Sequence, residues 1–168
     1  GHIGGESVPV DAGATRHNVY CPGTGEQVAA LQEDDASTVA AAVSTARQSL
    51  ERGAWSRATI ATRQTVFRNA AQLIRDHAEE LAVLECVCAG LPSSHPPSRQ
   101  VPRPADNLDF FADYIGVMAG ETFEQLPGYQ TVVTRQPAGV AALFAPWNAP
   151  LALATMHNAS SLAVGNTR

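Results

Sequence analysis

The sequence predicts an α/β fold whose sheet is only partly present. Three observations carry this expectation. Up to residue 31 the chain breaks into short β-type segments punctuated by Gly and Pro. Between residues 36 and 120 apolar positions recur at helical spacing. Residues 139–144 then form a continuous apolar run of the kind a strand shows when both faces are covered. Helices packed around buried strands define the class. A single run of that type is not a sheet, so the sheet reads as incomplete.

Each element has a local cause. Residues 3–8 read as a strand that turns at Gly4 and Gly5, with residues 16–20 as its partner. Cys21-Pro22-Gly23-Thr24-Gly25-Glu26 is turn chemistry, and residues 27–31 read as another strand. Asp34 and Asp35 can cap a helix beginning near Ala36, with Val39, Val43, Ala46 and Leu50 on its apolar face. A second helix is expected over 62–76, using Val66, Ala70, Leu73 and Ile74, and a third over 79–88, using Leu81, Leu84 and Cys88. Gly90 is placed to stop the third. Residues 91–104 contain five prolines and cannot form one regular helix. A fourth helix starts near Arg103, tolerates Pro104 in its first turn and ends by Gly120. Residues 129–136 alternate as a strand, and residues 150–162 read as a helix.

Composition excludes several classes of function. The net charge is −5, which argues against a nucleic-acid partner, since that needs a clustered basic face. All 11 basic residues are Arg, so no Schiff-base lysine or phosphate-loop lysine is available here. Cys21, Cys86 and Cys88 are odd in number and not preceded by a signal peptide, so a reducing cytoplasm is expected and a disulfide framework is not. No second pair of ligands is spaced for a zinc site, and no metal is expected. The uncharged stretch 138–156 is broken by Gly139, Pro146, Asn148 and Pro150, which rules it out as a membrane span.

The densest candidate for chemistry is Pro146-Trp147-Asn148-Ala149-Pro150, between the apolar run and a helix start. Ligands of open α/β sheets bind outside the carboxyl ends of strands. An asparagine amide there can stabilise an oxyanion without titrating. The alternative is that Asn148 caps the helix and Trp147 lies in the core. Arg103 and Asn107 are four apart and share a helix face, and Arg is suited to a bidentate carboxylate contact. The alternative for Arg103 is a solvated side chain at a helix start.

Several blocks resemble, in order, those of the aldehyde dehydrogenase superfamily. They are Pro22-Gly23-Thr24-Gly25-Glu26, Gly120-Glu121-Thr122, Arg135-Gln136-Pro137-Ala138-Gly139-Val140, Pro146-Trp147-Asn148-Ala149-Pro150 and Ala163-Val164-Gly165-Asn166-Thr167. Gly90-Leu91-Pro92, Val101-Pro102-Arg103 and Asn107-Leu108-Asp109-Phe110-Phe111-Ala112 are similar to the hydroxymuconic and carboxymethyl-hydroxymuconic semialdehyde dehydrogenases of aromatic catabolism. Leu91 stands where many members have Lys, and Met156-His157 where the family usually has Trp-Lys.

The resemblance implies an incomplete aldehyde-dehydrogenase-like fold. Residues 1–128 would be the N-terminal part of an NAD(P)-binding domain, 129–138 an oligomerisation-type strand, and 139–168 the start of the nucleotide-binding sheet. It implies NAD or NADP as cofactor, a small-molecule aldehyde as substrate and a homo-oligomer. Asn148 would hold the oxyanion, and the backbone of Ala145, Pro146 and Trp147 would lie along the nicotinamide ribose. Arg103 and Asn107, with Leu153 and Met156, would face the substrate. The family's cysteine nucleophile, glutamate base and glycine loop are expected beyond Arg168. On that expectation this stretch does not run the reaction alone. The competing reading is a non-catalytic module for self-assembly or partner binding.

Overall fold

The computed structural model describes residues 1–9, 11, 13–92 and 101–168. Two short hairpins come first: β1 (His2–Ile3) with β2 (Glu6–Ser7), then β3 (Arg16–Tyr20) with β4 (Gln27–Gln32). Helices α1 (Ala36–Arg52), α2 (Ile60–Asp76), α3 (Ala78–Ala89) and α4 (Pro102–Val117) follow. A third antiparallel hairpin pairs β5 (Glu121–Leu126) with β6 (Tyr129–Val133), and α5 (Pro150–Ala163) comes last.

Local signals set the helix ends. The Asp35 carboxylate accepts from the Thr38 amide at 2.7 Å and caps α1. Gly90 closes α3 in the left-handed region, at φ +68°. Pro102 opens α4, where its missing N–H costs nothing.

The core is a helical layer. Phe67 and Ala71 of α2 pack with Ala105, Leu108, Ala112 and Ile115 of α4 and with Ala159 and Ala163 of α5. Ala71, Ala105, Ala112 and Ala159 are fully buried, so small side chains let these helix surfaces meet. Ion pairs line the exposed seam between α2 and α4: Arg68 to Asp113 at 2.7 Å and Arg75 to Asp109 at 2.6 Å. Exposed pairs contribute roughly 0–1 kcal/mol each. Burying one Phe contributes about 1.5–3 kcal/mol. The apolar contact therefore holds the layer and the charges trim its edge.

Several expectations are corrected. Residues 16–20 pair with β4, because the Pro-Gly-rich turn after Cys21 folds them onto each other, while the first strand folds back on itself at Gly4 and Gly5. The buried face of α2 is Phe67 and Ala71; Val66 and Leu73 are exposed. In α3 the inward residues are Ala82 and Glu85, and Leu84 is exposed. Residues 121–126 form a strand that the sequence reading left out, and the partner strand ends at Val133. Among the described residues, the run 139–144 makes one parallel bridge, Val140 to Thr167, and Phe144 is 86% exposed. A parallel strand is buried only when neighbours flank it. The expected Pro-rich break over 91–104 falls partly on residues 93–100, outside the described residues.

Candidate functional site

The Gly165-Asn166-Thr167 block fixes where the 139–144 segment begins. The Gly139 amide donates to Asn166 Oδ1 at 2.9 Å, the Thr167 amide to the Gly139 carbonyl at 3.1 Å, and the Ala141 amide to the Thr167 carbonyl at 2.8 Å. Asn166 and Thr167 are buried, and the Thr167 hydroxyl donates to the Ala46 carbonyl on α1 at 2.8 Å. Gly165 is required here. Its φ is +93°, and a Cβ would come within 2.9 Å of Arg63 Nη2 and 3.1 Å of Pro137.

From residue 142 the backbone leaves this anchor and runs mostly exposed to the start of α5, with Leu143 and Ala149 half-buried. Ala145, Pro146, Trp147 and Asn148 are all exposed. The turn is tied to α3 at two points. The Trp147 indole N–H donates to the Cys88 carbonyl at 3.3 Å. Past the turn, the Leu151 amide donates to Glu85 Oε1 at 3.0 Å. Asn148 does not cap α5 and Trp147 is not core: the N-cap is Ala149, without a side-chain cap bond, and Trp147 is 54% exposed. The first turn of α5 is served instead by the carboxylate of Glu85. Among the described residues the Asn148 amide has no hydrogen-bond partner.

Helix α5 carries an acid at one end and a base at the other, both of the sign its dipole favours. At its C-terminal end Arg63 donates to the Ala163 carbonyl at 3.3 Å and to the carbonyls of Trp55 and Ser56. Burial lowers the Arg63 pKa from its ordinary value. The Trp55 indole donates to the Leu162 carbonyl at 3.0 Å, one residue before the same end.

The remaining candidates fall on α4 and α5. Asn107 Nδ2 donates to the Ala152 carbonyl at 3.1 Å, so this half-buried amide joins the two helices. Arg103 is exposed on the first turn of α4 and has no hydrogen-bond partner among the described residues. Leu153 and Met156 are half-buried on α5, three residues apart. The three cysteines are free thiols. Cys21 lies in the turn after β3, where a hydrogen bond with the Thr24 side chain, followed by backbone bonds, lowers its pKa. Among the described residues no three His, Cys, Asp or Glu side chains are gathered for a metal, and no helix is long and apolar enough to cross a membrane. Sequence reasoning missed Glu85 and Arg63. The available signal for Glu85 was a lone acid inside the apolar stretch of α3.

Comparison with known proteins identifies the class of this arrangement. The model of the aldehyde dehydrogenase family matches residues 10–168, and the chain belongs to that family, corresponding to its N-terminal part. The 2-hydroxymuconic semialdehyde dehydrogenase of Pseudomonas sp. strain CF600 is 33% identical over 169 residues, which cover 98% of this chain and 34% of that protein. Betaine aldehyde dehydrogenase of Vibrio vulnificus is 34% identical over 166 residues, covering 98% of this chain and 33% of its own length. An indole-3-acetaldehyde dehydrogenase solved with NAD+ superposes with a TM-score of 0.91 at 32% identity, over 98% of this chain and 33% of that one. The chain thus spans about a third of the length of the relatives it matches. Near-equal identity to enzymes named for different aldehydes means that overall similarity does not select a substrate.

Proposed function

We propose that this chain contributes the oxyanion-stabilising and nicotinamide-side portion of an NAD(P)-dependent semialdehyde dehydrogenase. The observation that carries the reading is Asn148: an exposed amide without a hydrogen-bond partner among the described residues, on a turn tied down on both sides. A donor held ready and unengaged suits an oxygen that becomes charged only when a nucleophile attacks the aldehyde carbon. Arg103, exposed at the start of α4, would pair with the substrate's distant carboxylate. Asn107, Leu153 and Met156 would form the substrate wall between α4 and α5.

The residues present fit one end of a dinucleotide and not the other. Ala145, Pro146 and Trp147 offer an uncharged, accessible backbone suited to the nicotinamide ribose. The N-terminus of α5 is unsuited to a pyrophosphate, because the Glu85 carboxylate already accepts from its Leu151 amide. When bound, the nicotinamide supplies the hydride acceptor. Strand β6 and its partner β5 would join a second copy through exposed Leu126, Tyr129 and Val132 in a homo-oligomer of the cytoplasm. The same exposed surface is what favours the second reading, a non-catalytic assembly module.

The two readings separate on the activity of a longer protein that carries this sequence. The 168 residues alone should form no NADH with a panel of semialdehydes, since none of the three thiols matches the family's cysteine block. In a protein that joins this sequence to a thiolate and a general base, Asn148→Ala should lower kcat roughly 10²–10³-fold on acidic and neutral aldehydes alike. Arg103→Ala should raise KM for the acidic aldehyde alone. Undiminished kcat in Asn148→Ala would refute the oxyanion role, and equal loss on both aldehydes in Arg103→Ala would make that arginine structural.

A further inference from the structure

We infer that Glu85 is a positioning residue for Asn148, and that α3 serves as the bracket of the turn at residues 146–151. This rests on the reading of Asn148 given above. Helix α3 reaches the turn from one side at two places, three residues apart: the Cys88 carbonyl takes the Trp147 indole proton, and Glu85 Oε1 takes the Leu151 amide proton at 3.0 Å. Asn148 lies between the two tethered residues.

Three features make Glu85 more than a packing residue. It is 6% exposed, and its second oxygen, Oε2, is buried with no hydrogen-bond partner among the described residues. A carboxylate so enclosed is held at a cost that a neutral apolar residue would avoid. Its one bond among the described residues goes to an N–H of the first turn of α5, which has no side-chain cap of its own from Ala149. Residues 144–148 are exposed, with Ala149 and Pro150 only half-buried, so little packing could orient Asn148 if this tether were lost. The length of the side chain, which carries an acceptor oxygen across from α3 to Leu151, is therefore the feature that sets the angle at which residues 146–150 enter α5.

Amide hydrogen exchange on the 168-residue chain tests this without any turnover. Glu85→Gln keeps an acceptor oxygen at the same reach and should leave Leu151 exchange within about twofold of the parent. Glu85→Asp keeps the charge but falls one methylene short. That variant and Glu85→Ala should speed Leu151 exchange roughly tenfold or more, and Trp147 and Asn148 should loosen with it. Core amides at Phe67 and Ala159 should stay within about twofold. Three results would overturn the inference: Glu85→Asp behaving like the parent, which would reduce the role to a charge on a helix end; core and turn amides speeding together; or a Glu85→Gln chain that does not fold. If Glu85→Ala does not fold, the Gln and Asp variants decide. Asn148→Ala should leave Leu151 protection unchanged, so failure of the oxyanion reading would appear in turnover and failure of the bracket in exchange.

Discussion

The helical layer and the turn that precedes α5 are built on opposite principles. In the layer, Phe67, Ala71, Leu108, Ala112 and Ala159 exclude water and are held by many weak contacts. In the turn, Ala145 to Asn148 are exposed and held by a few polar tethers from a neighbouring helix. The comparison teaches that position and stability have separate sources in this chain. A residue held between two tethers in an exposed turn is expected to contribute little to the folding free energy.

Substitutions can break that contrast, beginning with the largest effect. Phe67→Ala empties a site only 3% exposed and should cost about 3–5 kcal/mol in urea unfolding, enough to unfold much of the population. A loss below about 1 kcal/mol would mean the layer repacks freely. Gly165→Ala should cost roughly 1–3 kcal/mol, because the backbone is held at φ +93° with Arg63 pressed against it. Arg63→Ala in the same chain should relieve part of that penalty, and a strictly additive double variant would remove Arg63 from the explanation.

A smaller effect sits at the N-cap of α1. Hydrogen bonds with the Thr38 amide first, then with the Thr38 and Ser37 side chains, lower the Asp35 pKa below its ordinary value of 3.8. The folded-state value is depressed, so the stabilisation is present above the ordinary value and is lost as pH falls through the lower, folded one. Thermal melts of Asp35→Asn should therefore show a shallower loss of stability below pH about 4 than the parent. Equal acid sensitivity in the two chains would contradict the capping charge. The smallest effect is expected at the candidate site: Asn148→Ala should leave stability within about 0.5 kcal/mol, since its amide bonds to nothing described. A larger loss would tie that side chain to the fold.

What was legible in the sequence follows the range of the forces involved. Asp35 and Gly90 mark helix ends through their own backbone or the nearest turn, and each was readable locally, while α4 begins at Pro102, one residue before the expected start. The faces of α1, α2 and α3 were not: on α1, Val39 and Val43 are exposed and Ala46 is the buried residue. Helix α2 carries apolar residues on more than one side, and the choice of Phe67 and Ala71 over Val66 and Leu73 depends on the alanines of α4 that come against it. On α3 the inward group is an acid whose partner lies 66 residues away, a pairing no local pattern encodes. Strand β5 escaped notice because every residue from Glu121 to Leu126 is exposed and the buried-face alternation is missing. The family's blocks, in contrast, include the candidate turn but carry nothing of what holds it.

The two tryptophans give each region its own optical signal. Trp55 is stacked on Phe67 with ring centroids 6.0 Å apart and has Arg63 5.9 Å from its ring centre, while Trp147 stands 54% exposed beside the carbonyl of Cys88. Emission from the chain should therefore contain a blue component from Trp55 and a redder one from Trp147, with acrylamide quenching the redder one first. Trp55→Phe leaves a fluorophore that watches only the turn, and Trp147→Phe leaves one that watches only the helical layer. Ligand titrations and denaturation curves could then be followed separately in one small protein, with no dye attached.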